Sequence, residues 1–99
     1  MSLTTKSRLE HLARAAAQAL ADQSMVEEAW VQFDEDQYQV LILVDSADLG
    51  VEQEIRAVYG ELMSMYPDQE LDLYVTSTYR TPAEAWRSLI APDARKILA

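Results

Sequence analysis

Tyr38-Gln39-Val40-Leu41-Ile42-Leu43-Val44 is the most apolar run in the chain, and its reading decides the fold. Taken as a strand, it points Val40, Ile42 and Val44 to one side and Leu41 and Leu43 to the other. A strand that is apolar on both faces needs cover above and below, which places it in the middle of a sheet. The run is far shorter than the roughly 18 apolar residues that suggest a membrane span, and no other run in the 99 residues approaches that length.

Upstream, residues 26–33 alternate, with Ala29, Val31 and Phe33 against Glu28, Trp30 and Gln32. The polar segment 34–37 between the two runs reads as a turn, so the pair reads as an antiparallel hairpin. Residues 5–22 read as a helix whose Leu9, Leu12, Ala13, Ala16 and Leu20 share one face. Ser7 with Glu10, or a threonine at 4 or 5, is its expected cap.

Downstream, Asp45-Ser46-Ala47-Asp48 is rich in capping residues and leads into a second helix over 48–65. Its expected buried stripe is Val51, Ile55, Val58, Leu62 and Met65, widened by Tyr59 and Tyr66, with Glu52, Glu54 and Glu61 largely off it. Gly60 inside this helix costs about 1 kcal/mol relative to alanine, for which close packing is one compensation and simple tolerance the alternative. Pro67 ends the helix by disfavouring helical conformation at Tyr66.

Residues 70–77 read as a third strand, with Leu71, Leu73 and Val75 alternating with Asp72, Tyr74 and Thr76. Thr81-Pro82-Ala83-Glu84 then reads as a helix start, with a threonine cap, proline first and glutamate third. This helix runs to Ile90 before Pro92, and residues 93–98 read as a further turn or two in a peripheral tail, 91–99.

The expected fold is therefore a single α+β domain over residues 1–99, a two-layer or three-layer sandwich in the order α-β-β-α-β-α. Its three-stranded mixed sheet has spatial order 1-2-3, with 2-1-3 as the alternative. The first strand's alternating polarity favours an edge position. Connection of the second strand to the third through a helix implies that those two run parallel.

Charge is unevenly distributed. Lys6, Arg8 and Arg14 outnumber Glu10 in residues 1–21. Residues 22–79 hold fourteen carboxylates against Arg56 alone, and Arg80, Arg87, Arg95 and Lys96 outnumber Glu84 and Asp93 in the remainder, for a total of −9. Phosphate binding needs clustered cations, so nucleic acid is not an expected partner. The charge reads as a soluble, self-repelling surface, with docking of a basic protein partner as the sharper alternative. No leader or membrane segment is recognisable, and a soluble, cytoplasmic protein is expected.

Catalytic chemistry has little to work with. Cysteine is absent, which removes thiol nucleophiles and thiolate metal sites. His11 is the single histidine, beside Glu10 in a helix and without a serine motif to serve. Gly50 and Gly60 form no phosphate loop. Asp34, Asp36 and Asp45 have the spacing of a calcium loop, but Gln39 stands where its sharp turn needs glycine. Asp45 and Asp48 follow a strand and precede a helix, where ligand sites form in open α/β sheets, although helix capping also accounts for them. No cofactor or metal is expected, and the reading leans away from an enzyme.

A strand ending in Val44-Asp45, a helix, and Leu71-Asp72-Leu73 on a following strand resembles the small nucleotidyltransferases. That family carries Gly-Ser after its first strand and Asp-x-Asp on the next. Phe33-Asp34 and Leu41-Ile42-Leu43 stand in those regions here, so only Asp72 carries over, as a third carboxylate without its partners. The resemblance implies a degenerate, inactive domain.

Trp30, Tyr38, Tyr74 and Trp86 lack the basic neighbours of a base-stacking RNA surface, so core packing or a protein interface is expected of them. Two helices on one face leave Trp30, Leu41, Leu43 and Tyr74 bare on the other, and Trp86, Leu89 and Ile90 are their natural cover, within the chain or across a homodimer. The expected function is an acidic interaction or accessory module that includes self-association. The alternative is a small-ligand or metal-binding domain using Asp45 and Asp48.

Overall fold

The run that decides the fold forms a strand at Gln37–Val44, and every residue from Val40 to Val44 is buried. In a computed structural model describing residues 5–34, 37–65 and 71–98, this strand (β2) lies between Val26–Asp34 (β1), antiparallel to it, and Leu71–Ser77 (β3), parallel to it. Helix Thr5–Leu20 (α1) precedes the hairpin, helix Leu49–Met65 (α2) makes the crossover, and a short helix Ala83–Leu89 (α3) follows β3. The fold is α+β, a mixed sheet with helices packed on it.

Among the described residues the sheet has four strands rather than three, in the order β3-β2-β1-β4. Arg95–Leu98 (β4) pairs antiparallel with β1, setting Lys96 opposite Trp30 and Arg95 opposite Val31. The tail expected to be peripheral and helical is therefore a strand, and β1 is an inner strand rather than an edge. Four residues are too few to display alternation, and their partner lies more than sixty positions away. What selects the strand is β1's outer row of backbone donors and acceptors, which need partners.

One face packs on α1 and α2. Leu9, Leu12, Ala16 and Leu20 of α1 and Ile55 and Leu62 of α2 join Ala29, Val31, Val40, Ile42, Val44 and Val75 in one buried cluster. Burying each larger side chain contributes about 1.5–3 kcal/mol. Val51 and Val58 pack at its margin, whereas the side chains of Tyr59 and Met65 and all of Tyr66 and Pro67 lie outside the described residues.

Helix ends depart from expectation in two places. Thr5 already belongs to α1, so Ser7 stands inside the helix and is not its cap, while Thr4 lies outside the described residues. In α3 the cap position is Pro82, with no side-chain capping bond, and the Thr81 hydroxyl meets that of Thr76 instead. A Cβ at Gly60 would meet nothing within 4 Å, so close packing is not its reason. Asp34 pairs with Gln37 across the hairpin, whose tip, residues 35–36, lies outside the described residues. Among the described residues no helix is long and apolar enough to cross a membrane.

Candidate functional site

The second sheet face carries the candidate site. Strand alternation places Glu28, Trp30, Gln32 and Asp34 of β1, Gln39, Leu41 and Leu43 of β2, and Asp72, Tyr74 and Thr76 of β3 on it. Leu41, Leu43 and Trp86 form a second buried cluster, with Trp30 and Ile90 packed against it. The cover comes from α3 of the same chain, and Trp86 keeps only 2% of its surface exposed.

Polar residues hold α3 down. Gln32 is buried beneath its C-terminal end, where its side-chain oxygen accepts the Ala91 N–H at 2.7 Å. Its Nε2 donates to the Leu89 carbonyl at 3.1 Å and to Gln39 Oε1 at 2.6 Å. Glu28 Oε1 accepts the indole N–H of Trp30 at 3.0 Å and that of Trp86 at 3.4 Å. Lys96 Nζ lies 5.5 Å from the Trp30 ring centre. Thus Trp30, Leu41, Leu43, Trp86 and Ile90, expected as an interface, are core or its margin.

Tyr74 and Leu89 behave differently. They remain 43% and 37% exposed, and both line a cleft of about 250 Å³ with Asp34, Gln39, Leu41 and Asp72. Leu41 faces Tyr74 across the β2–β3 ladder, and Gln39 faces Asp72. The cleft is therefore mixed, setting Leu41, Tyr74 and Leu89 against Asp34, Gln39, Asp72 and Ser88. It is smaller than the pockets of drug-sized ligands, about 300–1,000 Å³. At the other end of α3 a cleft of about 200 Å³ lies among Glu28, Leu43, Thr78, Pro82, Trp86 and Arg87.

Asp45 and Asp48 stand together at the C-terminal end of β2, both exposed, and each has a local task. Asp48 Oδ1 accepts the Gly50 N–H at 2.9 Å, an N-terminal cap on α2. Asp45 does not cap. Its Oδ1 accepts the Thr78 hydroxyl at 3.1 Å, and with the Ser77 hydroxyl donating to the Ser46 carbonyl at 2.5 Å it ties the ends of β2 and β3 together. Among the described residues no three histidine, cysteine or carboxylate side chains are grouped to hold a metal.

Glu52, expected off the α2 stripe, is buried, and it pairs with Arg80 from the β3–α3 turn. Tyr38, grouped by sequence with the other aromatics, lies on the opposite face and tilts against Phe33 at 4.8 Å between ring centres. Gln32 was not singled out by sequence, although a glutamine alternating with tryptophan on a sheet-facing position is a signal for a buried polar anchor.

Comparison with protein-family models, with curated proteins and with solved structures finds no match for this chain. Asp72, the one residue that the likeness to nucleotidyltransferases carries over, lies exposed beside the cleft and faces Gln39 across the ladder.

Proposed function

We propose that this chain is a non-catalytic protein-interaction module that engages its partner through the cleft between β3 and α3. The observation that carries the reading is the exposure of Tyr74 and Leu89 beside the cleft that Leu41 also lines, on a face where α3 buries Leu41, Leu43 and Trp86. Exposed aromatic and aliphatic anchors in a small concavity are what a protein partner grips. The described titratable groups offer no paired acid and base around a pocket that could enclose a substrate.

Self-association loses its main support, because the bare sheet face that called for a second copy is covered by the chain's own α3. A ligand site at Asp45 and Asp48 has less behind it, since both carboxylates already accept local hydrogen bonds.

Selection of a displayed random-peptide library on the immobilised chain tests the reading. Enriched peptides should bind the wild type and lose about tenfold or more in affinity with Tyr74→Ser or Leu89→Ser, at unchanged melting temperature. Failure to enrich any binder, or binders indifferent to both substitutions, would overturn it.

A further inference from the structure

We infer that the occupant of this cleft is an extended, lysine- or arginine-bearing segment of a partner protein, added to the sheet along the outer edge of β3. The inference rests on the interaction reading above and goes further in naming how the partner binds and what chemistry it carries.

The two sheet edges differ. β4 is four residues long and carries Arg95 and Lys96, features that discourage strand addition. β3 is seven residues long with Asp72 as its one charge, and among the described residues no strand lies beyond it. The Thr78 N–H donates to the Val44 carbonyl at 3.0 Å, toward β2. Backbone groups alternate sides along a strand, so those of Leu73 and Val75 face outward, available to a new strand. Main-chain pairing would supply affinity, and alternate side chains would supply specificity.

Charge selects the occupant. Side chains on one face of an added strand would stand beside Tyr74 and Asp72, with the cleft and Asp34 beyond them. Among the described residues Asp34 and Asp72 are the charged ones lining that cleft, and residues 22–79 hold fourteen carboxylates against one arginine. An acidic segment, or a second copy of a chain with net charge −9, meets repulsion there. A cation on every second residue is attracted by Asp72 on the adjacent strand, while Asp34, three strand spacings or about 14 Å from the added strand, strengthens the same field at longer range.

The test uses the full chain and a blocked hexapeptide alternating lysine and valine. It should bind, weaken as salt rises, and lose about fivefold with the Asp34→Asn/Asp72→Asn double variant. The glutamate–valine counterpart should not bind. N-methylating alternate amides along one edge of the peptide should weaken it about tenfold or more, while methylating the other edge should be tolerated. Equal tolerance of both patterns would overturn strand addition while leaving the cleft reading intact. Tyr74-dependent library binders that carry no cations would overturn the charge selection in the same way. Concentration-dependent dimerisation abolished by Tyr74→Ser would replace the partner with a second copy. Failure of both the lysine peptide and the library would overturn the inference and the interaction reading together.

Discussion

Gln32 and Ala91 are joined by a 2.7 Å hydrogen bond from the Ala91 N–H to the Gln32 side-chain oxygen, linking the C-terminal part of β1 to the chain just beyond α3. With Nε2 donating to the Leu89 carbonyl, one buried amide satisfies both a donor and an acceptor of the helix end. A helix of seven residues has little intrinsic stability. Its position depends on such tertiary anchors and on Trp86. Replacing Gln32 with Met keeps much of the volume but strips Ala91, Leu89 and Gln39 of their partner, and should cost about 1–3 kcal/mol. Urea denaturation should show a lowered midpoint at constant slope.

Trp86→Ala removes the largest apolar group between α3 and the sheet and should cost about 3–5 kcal/mol. The contrast with Tyr74→Ser is informative, because an exposed position should change stability by about 0.5 kcal/mol or less. Binding of a hydrophobic dye should rise for Trp86→Ala alone, reporting a bared Leu41–Leu43 surface. Equal stability of both variants would show that α3 does not seal the face.

Glu52 and Arg80 should respond asymmetrically. Glu52 keeps 10% of its side-chain surface and Arg80 keeps 45%, so removing the arginine leaves a mostly desolvated carboxylate behind. Arg80→Ala should cost about 1–2 kcal/mol, discounted from a fully buried pair because Arg80 is half in water. Glu52→Gln should cost less, since it leaves no buried charge. Melting temperatures of the two single variants and the double variant should give a measurable coupling.

Gly60→Ala should stabilise the chain by about 0.4–1 kcal/mol. The site is in the body of α2, a Cβ there meets nothing within 4 Å, and alanine restricts the unfolded chain more than glycine does. A lowered melting temperature would show that glycine serves a purpose at this position.

Much of the fold was legible because it is written in local periodicity. The two-faced apolar run 38–44 placed β2 under cover on both sides, the 3.6-residue spacing of Leu9, Leu12, Ala16 and Leu20 named the buried face of α1, and Asp48 announced the start of α2. The interface set was legible only as a patch. Sequence brought Trp30, Leu41, Leu43, Tyr74, Trp86, Leu89 and Ile90 together without showing which of them end in the core. That division depends on where α3 lies across the sheet, which leaves Tyr74 and Leu89 at its margin.

By itself, then, the sequence determined the helices and three of the strands, the antiparallel hairpin and the acidic body, because hydrophobic period, turn chemistry and charge act over a few neighbouring residues. The tertiary structure alone decided the fourth strand, the pairing of Glu52 with Arg80 and the anchoring of α3 by Gln32 and Glu28. Each of these joins groups that are far apart in the chain, and each is selected by the need of a buried donor, acceptor or charge for a partner, which no local pattern records.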